Sequence, residues 1–242
     1  MAVAEQGDDV PGPSTIKGSV VVEDPRVVVF ESFLSQEEVS HLLGLAEGRW
    51  AQSTTTRGKE SGLLGSGAKG AKTKMSEVAD TDGYVAEAVG EVRTSKTVFL
   101  SFDESAVVER IAARVAAVTG YPLAHVEPLA LLKYGPGEYF KLHHDGAMRA
   151  ATVFVYLNDV APEHGGGTQF PNLGIEVRPK ALSALMWPNR LPDGSADRRL
   201  DHEALPVLDT SAGESPPVKY GMNCFVNIDA HRDTDHIQVV QQ

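Results

Sequence analysis

Apolar positions change their spacing twice along this chain. Val27, Val28, Val29 and Phe30 form a short unbroken apolar run that predicts a buried β-strand. Ser35, with Glu38 three positions later, has the form of a capping box, so a helix is expected to open there and to bury Val39, Leu42, Leu43 and Leu45 or Ala46. A second helix is predicted over residues 105–119, where Val107, Val108, Ile111, Ala112, Val115 and Val118 recur at helical spacing, and it reads as scaffold backing a sheet. From Val126 onward the period shortens. Apolar runs at 129–134, 152–157, 182–187 and 224–228, separated by clusters of Gly, Pro and Asn, predict successive strands of a β-barrel. Residues 189–217 are rich in Pro, Asp and Ser on both sides of His202, which predicts two loops around one short strand.

Two stretches have little to bury. Residues 1–18 carry Gly, Pro, Ser and acidic side chains without periodicity and are expected to be a mobile N-terminal leader before a single domain over 19–242. Residues 54–74 interleave Gly58, Gly62, Gly65, Gly67 and Gly70 with Lys59, Lys69, Lys72 and Lys74, the composition of a long loop that is either a solvated linker or a lid. At 242 residues and 42% hydrophobic content, the chain can bury one sizeable core. The single cysteine, Cys224, excludes an intramolecular disulfide, and the N-terminus has neither a basic start nor an apolar run of signal-peptide length. A reducing, cytoplasmic setting is therefore expected. No stretch approaches the roughly 20 apolar residues of a membrane helix. The formal net charge of −11 disfavours nucleic acid and anionic lipid as partners, and a monomer is expected.

The strand pattern frames one concentrated piece of chemistry. The run from Tyr134 to Asp145 ends in His143-His144-Asp145. Residues i and i+2 of a strand share a face, so His143 and Asp145 can hold one metal while His144 points away. Two imidazoles and one carboxylate make the facial triad of a non-haem Fe(II) site, and His202, far downstream, supplies the second imidazole. The competitors are weaker: His144 faces the other way, His164 precedes a glycine turn, and His231 and His236 fall in a polar tail. A structural zinc site is disfavoured because no Cys-x-x-Cys pair exists.

Several blocks, in order, resemble the prolyl 4-hydroxylases of the 2-oxoglutarate and Fe(II)-dependent dioxygenase superfamily. They are Arg93-Thr94-Ser95; Tyr134, Gly137, Phe140, His143 and Asp145; residues 149–153 with Tyr156-Leu157; Gly165-Gly166-Gly167-Thr168-Gln169-Phe170-Pro171; and His202 through Pro206-Val207. His-x-Asp alone is a weak signal, whereas the ordered set is specific. The resemblance implies a mainly β fold with flanking helices (α+β), a double-stranded β-helix of the jelly-roll, cupin-like kind. It implies Fe(II) held by His143, Asp145 and His202, which are then both metal ligands and catalytic residues. Further implications are 2-oxoglutarate as cosubstrate giving succinate and carbon dioxide, O2 as oxidant, ascorbate as a reductant, and a prolyl residue of a peptide or protein as the hydroxylated group. The Asp145 carboxylate favours hydroxylation over halogenation, since related halogenases lack it.

By the same resemblance, Tyr134, Thr168 and Lys219 hold the distal carboxylate of 2-oxoglutarate, while Arg93, Arg149 and Phe225 line the substrate groove; Arg232, beyond the last predicted strand, is the fallback for the cation. The chain departs from the family pattern in two places: the stretch from His202 to Lys219 is longer, with residues 210–217 as an insertion, and Phe225 stands where relatives often place tryptophan. Two other readings stay open, a small-molecule or free amino acid hydroxylase on the same scaffold and a peptide-binding module without turnover.

Overall fold

The short apolar runs become strands because their alternate residues have two different surfaces to cover. The computed structural model describes residues 16–53, 55–57, 85–87, 92–210 and 215–231. The first strands are β1 (Gly18–Val22), β2 (Val27–Phe30) and β3 (Ala51–Gln52), followed by β4 (Thr55–Arg57) and β5 (Val85–Glu87), which pair only with each other. Then come β6 (Lys96–Leu100), β7 (Leu129–Tyr134), β8 (Phe140–His143), β9 (Arg149–Tyr156) and β10 (Thr168–Phe170). The last are β11 (Ile175–Val177), β12 (Ala184–Pro188), β13 (His202–Ala204) and β14 (Lys219–Asn227). Eight strands form one antiparallel sheet in the order β1-β2-β12-β9-β14-β7-β6-β3, and four form a second in the order β11-β10-β13-β8. This is the expected jelly roll, mostly β with, among the described residues, two α-helices, α1 (Gln36–Ala46) and α2 (Ala106–Thr119).

The large sheet sorts its residues by parity. Leu129 and Leu131 of β7, Val153 and Val155 of β9, and Met222, Cys224 and Val226 of β14 pack against Val39, Leu42, Ile111 and Val115 of the helices. Leu132 and Tyr134, Phe154 and Tyr156, and Leu185 and Trp187 form a separate cluster with Phe140 and Phe170 of the small sheet. The helices therefore cover one face and the small sheet the other, with the space between the sheets left for a site. The Phe154 ring lies over Gly221 of β14, where a Cβ would stand 2.5 Å from it, so the absent side chain makes room for the ring.

Both helices start where the sequence predicts. Ser35 and Glu38 form the capping box of α1, and the Ser105 hydroxyl caps α2. One feature of this packing is invisible to periodicity. Glu38 is buried, and Arg114 of α2, also buried, grips both of its carboxylate oxygens at 2.8 and 3.0 Å while donating to the Phe33 carbonyl at 2.9 Å. The capping glutamate is thus also half of a buried interhelical ion pair.

The structure lengthens or adds some elements. β9 begins at Arg149 and β14 at Lys219, earlier than their apolar runs, and β1 is an unpredicted hairpin partner of β2. β1 starts at Gly18, inside the expected leader, whose residues 1–15 lie outside the described residues. Most of the Gly- and Lys-rich segment 54–74, residues 211–214 of the insertion, Arg232 and His236 lie outside them too. Among the described residues no helix is long and apolar enough to cross a membrane.

Removing one charge of the Glu38–Arg114 pair leaves the other buried and unpaired, so Glu38→Gln is expected to lower the unfolding free energy by about 3 kcal/mol. The double substitution Glu38→Met with Arg114→Leu should recover much of that loss. Urea unfolding of the three proteins tests this, and an unchanged midpoint in Glu38→Gln would contradict it.

Candidate active site

Pairing of β13 with β8 sets His202 directly opposite His143. The register shifts by one residue between this pair and the next, Ala204 with Phe140, and within the shifted stretch the Lys141 carbonyl is 2.8 Å from His143 Nδ1. His202 Nδ1 likewise lies 3.0 Å from the Leu200 carbonyl. A carbonyl only accepts, so both Nδ1 atoms carry the proton and both Nε2 atoms keep a free lone pair.

Those lone pairs meet the third predicted ligand. Asp145 lies just past the end of β8 rather than on it, so strand alternation is not what aligns it with His143. Its Oδ1 stands 3.8 Å from His143 Nε2 and 3.8 Å from His202 Nε2. The ligating atoms of the three side chains all lie within 4.8 Å of one another, the one such grouping among the described residues. Burial, and then the neighbouring His202, hold the His143 imidazole down to about 3, so it is neutral near neutral pH as a ligand must be. Burial alone would raise Asp145, but His202, His143, Arg149 and the Thr152 hydroxyl hold it below the ordinary carboxylate range. Two imidazole nitrogens and one carboxylate oxygen suit a divalent cation and fit Fe(II).

The other histidines do not enter this grouping. His144 Nδ1 accepts from the Gly146 amide at 3.0 Å, and His164 Nδ1 pairs with the Thr210 hydroxyl at 2.8 Å. His231 donates its backbone amide to Ala124.

Beside the triad lies a cavity lined by Tyr134, Thr168, Trp187, Asn223, His143 and His202 among others. Tyr134 and Lys219 are paired neighbours on β7 and β14, and the Lys219 ammonium sits 5.3 Å from the Tyr134 ring, with the Phe154 and Tyr156 rings at 5.4 and 5.6 Å. Lys219 is fully buried, and its one hydrogen bond among the described residues runs to the Gly166 carbonyl at 2.6 Å. That carbonyl is brought in by a turn in which Gly165 and Gly166 both take positive φ, 64° and 72°. No carboxylate pairs with Lys219 among the described residues, and burial pushes its ammonium down to about 7. Thr168 is buried on β10, where its hydroxyl oxygen is 2.8 Å from the Tyr156 hydroxyl. The three predicted cosubstrate residues therefore sit within one neighbourhood.

The predicted substrate residues occupy two places. Arg93 donates to the Ser95 hydroxyl at 2.9 Å and lies 4.7 Å over the Phe140 ring, whose ring in turn stacks on His143 at 3.6 Å. Arg149 donates twice to Glu127, each bond 3.0 Å, and once to the Asp145 carbonyl at 3.2 Å, and its guanidinium covers the Phe225 ring at 3.5 Å. Glu127 is thus the partner that sequence reasoning missed. It also missed Trp187 and Asn223 in the cavity wall, and Thr152 and Asn189 behind Asp145. Strand parity could have found Thr152, a lone polar residue among apolar ones on the inner face of β9.

The family model described as the 2OG-Fe(II) oxygenase superfamily matches residues 129–227, the stretch that carries every ligand and cavity residue named above. The chain belongs to this superfamily. Within it, the chain is similar to prolyl 4-hydroxylase subunit alpha-1 of Gallus gallus, with 31% identity over 214 residues, covering 81% of this chain and 36% of the relative. It is similar to prolyl 4-hydroxylase 5 of Arabidopsis thaliana, with 31% identity over 218 residues, covering 78% and 66%. The chain thus spans 36% of one relative's length and 66% of the other's. The crystal structure of the viral collagen prolyl hydroxylase from Paramecium Bursaria Chlorella virus-1, a 2OG complex, superposes with a TM-score of 0.58 at 18% identity, covering 83% of this chain and 94% of that one. This likeness shows the shared fold.

For an oxygenase of this superfamily the three ligands are expected to act together. His143→Ala, Asp145→Ala and His202→Ala should each abolish tight binding of a divalent ion, read as the disappearance of the free Mn(II) electron paramagnetic resonance signal on titration with protein. Retained binding in any of the three would remove that residue from the ligand set.

Proposed function

We propose that this chain is a 2-oxoglutarate- and Fe(II)-dependent dioxygenase that hydroxylates prolyl residues in a peptide or protein. The observation that carries the reaction class is the convergence of two Nε2 atoms and one carboxylate oxygen beside a cavity whose Tyr134 and Phe154 walls lie against buried Lys219, which has no carboxylate partner among the described residues. The prolyl substrate is supported by the similarity to prolyl 4-hydroxylases.

Iron bound by His143, Asp145 and His202 would supply the activation of dioxygen and the oxidative decarboxylation of 2-oxoglutarate to succinate and carbon dioxide that drive hydroxylation. The protein's part is to bind, orient and exclude water. Lys219 gives the distal carboxylate a cation at the end of an apolar pocket, where a buried charge must be paired. Thr168 offers a hydroxyl from the facing sheet, and Tyr134, whose ring lies beside Lys219 and whose hydroxyl is held by Ser95 and Arg93, would have to turn that hydroxyl toward the cosubstrate. Phe140, Phe154, Trp187 and Leu132 keep the rest of the cavity dry. Around the triad, Arg93 is a cation available to a peptide carbonyl, and Phe225 with Arg149 forms a wall against which a proline ring can pack.

Ascorbate as reductant and O2 as oxidant belong to the same proposal, and the single buried cysteine supports a cytoplasmic setting. The net charge of −11 supports an enzyme without a nucleic-acid or anionic membrane partner, acting as a monomer.

Turnover of 2-oxoglutarate to succinate should rise with proline-containing peptides, and the peptide product should gain the mass of one oxygen atom on proline. Both signals should vanish in His143→Ala. Succinate without any peptide product would move the substrate to small molecules, and no turnover with any substrate would end the enzyme reading.

Lysine titration adds a pH signature. Below about pH 7 Lys219 is already protonated in the free protein and meets the distal carboxylate directly, whereas above it binding must first take up a proton. The dissociation constant for 2-oxoglutarate should therefore weaken by up to about tenfold per pH unit above neutrality. Lys219→Met should bind weakly at every pH and lose the slope, and a flat profile in the unaltered protein would exclude Lys219 as the cation.

A further inference from the structure

Thr152 is fully buried on the inner face of β9, and its hydroxyl oxygen has two polar neighbours, Asp145 Oδ2 at 2.6 Å and Asn189 Nδ2 at 2.9 Å. A hydroxyl has one proton. The Thr152 hydroxyl donates to Asp145 Oδ2 at 2.6 Å, the short distance of an O–H directed at a carboxylate oxygen, so the Thr152 proton lies between the two. That proton being used, the contact with Asn189 is made by the amide N–H donating to Thr152. The direction of the chain of bonds is thereby set: Asn189 N–H to Thr152, then Thr152 O–H to Asp145 Oδ2.

Asn189 is placed to hold this direction. It is fully buried immediately after β12, its backbone amide donates to the Ala150 carbonyl at 3.1 Å, and its own carbonyl accepts from the Asp197 amide at 3.1 Å. β9 is thus tied to the loop that leads to His202. The consequence falls on the two oxygens of Asp145. Oδ2 is occupied by a hydrogen bond, whereas Oδ1 is the oxygen 3.8 Å from both Nε2 atoms. A carboxylate free to turn could chelate with both oxygens and use up a position that a facial triad leaves open.

We infer that Thr152 and Asn189 are positioning residues that select Oδ1 of Asp145 as the single metal-ligating oxygen and hold the carboxylate against rotation. This rests on the reading of the triad as a divalent metal site and extends it to two residues outside the ligand set. Partners of this kind are worth roughly tenfold to a hundredfold in metal affinity.

The test uses the full chain stripped of metal, with Mn(II) titration for affinity and the visible spectrum of the Co(II)-loaded protein for the ligand field. Thr152→Val keeps the shape and removes the donor, and it should weaken Mn(II) by about tenfold to a hundredfold and alter the Co(II) spectrum. Thr152→Ser restores the hydroxyl and should restore both. Asn189→Leu should show a smaller loss that disappears when it is added to Thr152→Val, because its effect travels through the hydroxyl. Unaltered Mn(II) affinity in Thr152→Val, an unchanged Co(II) spectrum there, or a full Asn189→Leu effect in the Thr152→Val background would each overturn the relay while leaving the metal site standing. An unaltered protein that binds neither ion would overturn the metal reading and the relay with it.

Discussion

The antiparallel pairing of β8 with β13 is the constraint on which the site depends, because it is the contact that brings His143 and His202 face to face from distant parts of the chain. Side chains alternate along a strand, so a slip of one residue would turn one imidazole out of the site. The pairing is held from both sides. Across β13, β10 pairs Thr168 with Ala204 and Gln169 with Glu203, and across β8 the Arg93 segment adds a bridge to Phe140. The aromatic rings finish the alignment: Phe140 lies flat on His143, and Trp187 and Phe170 close on His202 at 4.8 and 5.3 Å. Both imidazoles are therefore held by packing as well as by their Nδ1 bonds, which is what a preorganised ligand set requires.

An electrostatic imbalance is stored behind the Tyr134 and Phe154 wall of the cavity. A fully buried lysine with a carbonyl and three aromatic rings around it, and no carboxylate among the described residues, is costly to keep charged, as its lowered pKa reflects. A dicarboxylate bound in the cavity would relieve the cost, so part of the affinity for such an anion comes from a penalty already present in the folded protein. The Glu38–Arg114 pair behind the sheet shows the opposite solution, a buried charge matched within the chain by two hydrogen bonds. Structural and functional ions are distinguishable here by whether the fold supplies the partner.

Much of this was legible in the sequence, for reasons that differ by residue. The helices were legible because capping and period are local, as Ser35, Glu38 and Ser105 show. β7 was legible to the residue because its apolar run ends at Tyr134 and Gly135. β1 and the N-terminal half of β14 were not, since Gly18, Lys219 and Asn223 break the apolar run while still pairing in the ladder, and the start of β9 at Arg149 was legible only from its motif block, not from apolar spacing. The three residues that the structure brings together as a candidate metal site could be read from motif blocks, yet the geometric reason given for Asp145 was incomplete: it is aligned by the turn after β8 and by Thr152, not by strand alternation. Glu127 and Asn189 left no local signal, because their roles exist only once Arg149 and Thr152 lie beside them.

β9 deserves to be seen as the strand that joins these levels. Its Arg149 holds the Asp145 carbonyl, its Thr152 holds the Asp145 carboxylate, its Phe154 fills the wall of the cavity, and its Tyr156 reaches Thr168 on the opposite sheet. The spacing of Thr152, Phe154 and Tyr156 is the two-residue period of the inner face, so a single register choice with β14 and β12 places all three. The other face of the same strand, Val153 and Val155, is fixed against the helices. Because the outward apolar face determines the register, packing energy from the helix layer is what sets the positions of the polar groups around the metal ligands. A change at Val153 or Val155 would therefore be felt at Asp145, even though neither residue faces it.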